Sequence, residues 1–119
     1  MGKSSEKRLA QRLYASLTVK YTLPNGFSGR IISSDVSVTG VCLLLPQKLE
    51  IGVTLTLAIR MPRKNRETVI YGEVTRQQKS EDPKKEGYIT GINFSKADPL
   101  DIEELITTVR SGHYFIPGK

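Results

Sequence analysis

Tryptophan is absent from this 119-residue chain, cysteine and histidine occur once each, and only 7% of residues are aromatic. The single cysteine, Cys42, excludes an internal disulfide and any cysteine-based zinc cluster. Its place inside an apolar stretch marks it as a small, inert core residue. The lone histidine, His113, sits in a Gly-His-Tyr tail with no carboxylate near it in sequence, a poor setting for a metal site or a general base. The longest apolar run, Val41 to Leu45, has five residues, far short of the roughly 20 needed to cross a bilayer. No membrane insertion is expected. The first eight residues carry positive charge with no apolar segment behind it, unlike a secretory signal. A myristoylation motif at Gly2 would need Ser or Thr where Glu6 stands. The expected address is the cytoplasm. There is no Walker-type loop and no nucleophile elbow, and Asp101, Glu103 and Glu104 read as the wet face of a helix. The chain is expected not to be an enzyme, and to need no cofactor or metal.

What is present suits one folded domain. Apolar residues make up 38% and charged residues 25%, a balance that disfavours disorder. Lysine plus arginine is 18 against 12 aspartates and glutamates, giving +6 and favouring anionic partners. The excess is uneven: residues 1–30 carry six cations (Lys3, Lys7, Arg8, Arg12, Lys20, Arg30) against Glu6, or +5. A second positive stretch is the Arg60–Arg66 connection.

The middle of the chain alternates with period two. Strands are predicted at Ala15–Leu23, Phe27–Ser33, Val41–Leu45, Val53–Ile59, Thr68–Gln77 and Gly87–Phe94, with Pro24-Asn25-Gly26 as turn chemistry and Ser34–Gly40 as a break. Six short strands joined by polar turns suggest a closed antiparallel β-barrel. The period then changes: Ile102, Leu105, Ile106 and Val109 share one face of a helix. Asp98 is placed to cap it, Pro99 to begin it and Gly112 to end it. The predicted division is a basic arm over 1–13, an all-β barrel with a C-terminal helix over 14–112, and a tail over 113–119.

Two motifs stand out. Arg8-Leu9-Ala10-Gln11-Arg12 places two guanidiniums at i, i+4. Such planar forks match phosphate oxygens or the O6/N7 edge of guanine and can stack on a base. The second motif, Asp35-Val36-Ser37-Val38-Thr39-Gly40, is ordinary turn vocabulary on its own. Together, RxxxR, a strand pair and DxSxxG leading into an apolar strand resemble the PilZ domain family. Leu49–Gly52, Gly72–Arg76 and Gly91–Phe94 extend the resemblance in the expected order, so that it runs from about Glu6 to Arg110.

The resemblance implies a six-stranded barrel with a C-terminal helix and a bacterial receptor for cyclic di-GMP. It implies that Arg8 and Arg12 meet guanine edges and phosphates, and that Asp35 accepts from guanine N1 and N2. Ser37 would donate to a phosphate or base oxygen, and Gly40 would admit the ligand to bare backbone. Lys7, just before the first arginine, is compatible with an intercalated cyclic di-GMP dimer of four negative charges, so two ligands per chain are expected. Arg76 and Arg30 are candidates for the rim but read more simply as solvated strand residues; Tyr14 and Tyr88 could stack on a base but read more simply as packing residues. Residues 1–12 carry little apolar surface and much like charge, so they are expected to be mobile and to order on ligand binding. Output would then pass to an effector protein whose identity is open. Two alternatives are a small nucleic-acid-binding barrel and a PilZ-like interaction module without ligand. Against the first, no strand carries the paired exposed aromatics of a stacking platform, so no DNA is expected.

Overall fold

Period-two burial is realised as antiparallel pairing throughout. The computed structural model describes residues 13–61 and 66–111. In chain order these form β1 (Leu13–Tyr14), β2 (Thr18–Thr22), β3 (Ser28–Val36), β4 (Gly40–Leu45), β5 (Thr54–Arg60), β6 (Glu67–Lys79), β7 (Tyr88–Lys96) and α1 (Pro99–Ser111). The strand order is β1-β3-β2-β5-β6-β7-β4, and a further β3–β4 pairing joins the ends. Strands β2 to β7 therefore close a six-stranded barrel with no open edge to template aggregation, as the alternation predicted. Val19, Tyr21, Leu43, Leu45, Leu55, Leu57, Ile59 and Ile70 fill its interior. Each such fully buried side chain contributes roughly 1.5–3 kcal/mol.

The expected strand over Ala15–Leu23 is shortened to β2, which begins at Thr18, and a separate two-residue β1 precedes it. Thr18 pairs with Ile32 but Tyr14 pairs with Asp35, four steps on one strand against three on the other. That extra residue is a bulge, and Ser33 stitches it. The Leu17 amide donates to Ser33 Oγ at 3.0 Å and Ser33 Oγ donates to the Ala15 carbonyl at 2.6 Å. Leu13, Ala15 and Leu17 all stay buried across the break, so the apolar pattern survives where the ladder does not.

The expected break at Ser34 is likewise corrected. Strand β3 runs on to Val36 through a second bulge: Ser33 pairs with Leu43, yet Asp35 pairs with Cys42. Two steps on β3 against one on β4 reverse the facing of the strand. Ser33 and Val36 both point to the core, and Asp35 is turned to the outer wall.

Helix α1 begins as its sequence requires. Asp98 Oδ1 accepts from the Leu100 amide at 2.9 Å, and the Asp98 carbonyl accepts from the Asp101 and Ile102 amides, a capped N-terminus with proline in the first turn. Leu105, Ile106 and Val109 join the same apolar cluster as the barrel residues. Arg66, following the β5–β6 connection, forms an ion pair with Glu104. The hydrogen bond and charge of Glu104 raise the guanidinium pKa further above its ordinary value.

Candidate functional site

The bulge in β3 decides which residues share the outer wall with Asp35. In register, Asp35 faces Tyr14 on β1 and Cys42 on β4; Cys42 faces Gly91 on β7, and Gly91 faces Arg76 on β6. These five residues make one lateral row. At about 4.8 Å per strand, Asp35 and Arg76 stand roughly 14 Å apart, with only a thiol and a hydrogen atom between their positions. A low floor between a carboxylate and a guanidinium admits a flat, anionic, hydrogen-bonding ring system.

Two sequence expectations change here. Tyr14 is 74% exposed, so its ring is available beside Asp35 and does not serve as a packing residue. Cys42 is buried at 7% exposure, but its neighbours Val41 and Leu43 take the core-facing positions. Cys42 belongs to the outer wall, opposite Asp35, and lies outside the main apolar cluster. Tyr88 pairs with Leu45 and Lys79 at the far end of β7. Arg30 pairs with Lys20 on the β2–β3 wall, away from this row. Arg76, by contrast, ends the row, opposite Gly91. A methyl group built on Gly91 would lie 2.9 Å from both Cγ and Nε of Arg76, so the arginine stem lies over the bare glycine backbone. Gly91 is the residue that sequence reasoning missed. Its signal was its register opposite an arginine, which a single sequence does not display.

The loop between β3 and β4 holds the rest of the DxSxxG stretch. Ser37 is only 1% exposed, and its hydroxyl is engaged within the turn. It accepts from the Thr39 amide at 3.2 Å and shares a hydrogen with Thr39 Oγ1 at 3.0 Å. The Ser37 amide donates to the Gly40 carbonyl at 2.9 Å, and the Phe94 amide donates to the Thr39 carbonyl at 2.8 Å. The loop is thus closed on itself and tied to β7. Gly40 is bare for a reason internal to the fold. A Cβ there would run into the Ile92 carbonyl oxygen and crowd Asn93 Cα at 3.2 Å.

Lys7, Arg8 and Arg12 lie outside the described residues. Leu13, the first described residue, pairs with Val36, next to the Tyr14–Asp35 pair. Among the described residues no group of three or more His, Cys, Asp or Glu side chains is arranged to hold a metal ion. No helix among them is long and apolar enough to cross a membrane.

Comparison with known proteins agrees with this architecture. No curated protein matches the chain. Among solved structures, the Bacillus subtilis inhibitor of motility MotI/DgrA superposes with a TM-score of 0.70 at 24% identity, covering 87% of this chain and 50% of that one. The present chain therefore spans about half the length of that relative. The PilZ domain of Escherichia coli YcgR, solved with c-di-GMP, gives a TM-score of 0.65 at 16% identity, covering 87% and 92%. The PilZ domain of CeSA from a cellulose-synthesizing bacterium gives 0.63 at 13%, covering 87% and 99%. At these identities the superpositions establish the fold. The PilZ domain family model matches residues 6–111, and with nearly the whole barrel and helix inside that span, the chain belongs to the PilZ domain family.

Proposed function

We propose that this chain is a cyclic di-GMP receptor and adaptor that binds its ligand on the β4–β7 wall of the barrel and signals by closing its N-terminal arm. The observation that carries the reading is the row Tyr14, Asp35, Cys42, Gly91 and Arg76, set beside the DxSxxG loop in a chain of the PilZ family. The YcgR domain, with the same fold, was solved with c-di-GMP. Asp35, acceptor-only as a carboxylate, accepts from the N1 and N2 hydrogens of a guanine. The exposed Tyr14 ring offers a stacking face beside it. Arg76 presents a fork of donors to a phosphate or to the O6/N7 edge of a second base.

In this reading the loop residues act mainly through shape. Ser37 holds the turn that sets Asp35, and donates to the ligand only with whatever hydrogen Thr39 leaves it. Gly40 lets β4 approach β7. Arg8 and Arg12 supply the charge that two phosphates require, and Lys7 the further charge for an intercalated ligand pair. Neutralising the arm removes its self-repulsion and lets it pack over the wall, giving an effector a ligand-dependent surface.

The test is calorimetric titration of cyclic di-GMP, GMP and single-stranded DNA against the protein at near-physiological salt. Saturable binding of cyclic di-GMP alone, at two ligands per chain, is the expected result. Binding of DNA in preference to cyclic di-GMP, or of neither, overturns it. Amide exchange over residues 1–12 should slow with ligand; equal rates in both states refute the arm closure.

A further inference from the structure

A groove runs along helix α1 where it meets the barrel. Pro99, Ile102, Ile106 and Arg110 line one wall of it, with Val38 of the β3–β4 loop and Phe94 of β7 across from them. The four α1 residues recur at helical spacing, so the groove extends from the first turn of the helix to its last. It encloses about 630 Å³, within the roughly 300–1,000 Å³ of sites that hold a group of several large side chains or an organic ligand. Phe94 and Ile102 are only partly buried against the core cluster, and Val38 is 47% exposed. Apolar surface is therefore left open inside the groove.

The sequence brings a matching segment to its mouth. Helix α1 ends at Ser111, one residue past Arg110, and residues 112–119, Gly-His-Tyr-Phe-Ile-Pro-Gly-Lys, lie outside the described residues. Tyr114, Phe115 and Ile116 form an apolar run within them. An aromatic ring that packs buries roughly 150–250 Å², so such a run gains much from an apolar surface close at hand.

We propose that Tyr114-Phe115-Ile116 turns back along α1 and docks in this groove, within the same chain. Gly112 suits the reversal, because the residue just past a helix end commonly takes the left-handed conformation that glycine adopts freely. The lengths agree. From Arg110 back to Pro99 the helix covers about 16 Å at 1.5 Å per residue. An extended segment rises about 3.3 Å per residue, which places Ile116 about 13 Å from Gly112 and keeps the whole run inside the groove. Successive side chains of an extended segment point to opposite sides, so Phe115 meets one wall and its two neighbours the other. A separate partner of similar composition is disfavoured, since a segment tethered at the mouth acts at an effective concentration on the order of millimolar. Once docked, the run covers Val38 and so packs against the DxSxxG stretch. The inference does not depend on what that stretch binds.

The chain has no tryptophan, so Phe115→Trp in the full chain provides a single emitter at the centre of the run. The expected result is blue-shifted emission that acrylamide quenches several-fold less than free tryptophan, alike at every protein concentration. Adding Val38→Asp puts a charge in the barrel wall of the groove and should bring both readings towards those of free tryptophan, with circular dichroism unchanged. Val38→Ser takes its place if the added charge unfolds the protein. Water-exposed emission from Phe115→Trp, or shielded emission that the Val38 variant leaves alone, overturns the proposal. So does shielding that grows with protein concentration alongside a dimer in sedimentation, which would give the groove to a second copy. Thermal unfolding provides a readout without the reporter. Phe115→Ser should lower Tm by roughly 4 °C or more, and that loss should largely disappear in the Val38 variant, because both substitutions act on one contact. No loss, or equal losses in the two backgrounds, overturns the docking.

Discussion

Replacing Gly40 and Gly91 by alanine, one at a time, asks whether glycines on the same wall serve the fold or the ligand. A methyl group on Gly40 meets backbone, the Ile92 carbonyl oxygen and Asn93 Cα, and backbone paired along the whole of β4 and β7 cannot step aside. Overpacking of this kind costs about 1–3 kcal/mol. The lower entropy of the unfolded alanine chain offsets about 0.4–1 kcal/mol of that. A net loss of about 1–2 kcal/mol lowers Tm by roughly 5–10 °C in a domain of this size. At Gly91 the methyl group meets the Arg76 stem, a flexible, exposed side chain that can swing away. Gly91→Ala should therefore leave Tm unchanged or slightly raised, while displacing Arg76 and weakening cyclic di-GMP. The assay is paired: thermal unfolding by circular dichroism, and calorimetric titration well below both transitions. An unchanged Tm in Gly40→Ala would refute the backbone argument and return Gly40 to the ligand. A large Tm loss in Gly91→Ala would show that Arg76 is held rigidly and that the wall is built differently.

Arg12→Ala removes a charge-assisted contact and should cost about 2 kcal/mol of binding, near thirtyfold in Kd, with Tm unaffected. Asp35→Ala should weaken cyclic di-GMP as well, and unchanged affinity in both variants would sink the site assignment. Asp98→Ala deletes the cap on α1 and should lower stability by about 1 kcal/mol without changing ligand affinity, so a binding defect there would mean that the helix reaches the site. Lys7→Leu should reduce the calorimetric endpoint from two ligands per chain to one, or weaken the second; a one-to-one endpoint in the parent excludes the intercalated pair.

The architecture was legible because it rests on periodicities that a sequence carries openly. Val53, Leu55, Leu57 and Ile59 alternate with polar partners and are a strand. Ile102, Leu105, Ile106 and Val109 recur at helical spacing behind an Asp-Pro start and are a helix. The wall of the site rests on register, and register is carried by pairing rather than by composition. One extra residue in β3 near Ser34 changes no propensity, yet it turns Asp35 outward and brings Val36 into the core. Within Val41–Leu45 every residue is apolar, so no alternation distinguishes outward Cys42 from inward Leu43. Tyr14 is as suitable for a core as for a surface until its partner is known to be Asp35.

The same reasoning explains why the DxSxxG stretch reads as a turn when taken alone. Much of it is a turn: Ser37 and Thr39 close the loop on themselves, and Gly40 makes room for β7. In the proposed site its chemistry toward a ligand is concentrated in Asp35, which faces outward just past the bulge, opposite Cys42. The complementary guanidinium, Arg76, comes from β6, across a floor kept low by Cys42 and Gly91. Without Ser34, Ser33 opposite Leu43, Asp35 opposite Cys42 and Val36 opposite Val41 become consecutive pairs of a regular ladder, so Asp35 keeps its outward facing. Deleting Ser34 should therefore leave ligand binding near that of the parent, whereas Asp35→Ala should lose it. Calorimetry on the two variants, with circular dichroism confirming that each retains its β-structure, decides it. A Ser34 deletion that folds and no longer binds would show that the placing of Asp35 depends on more than its pairing with Cys42.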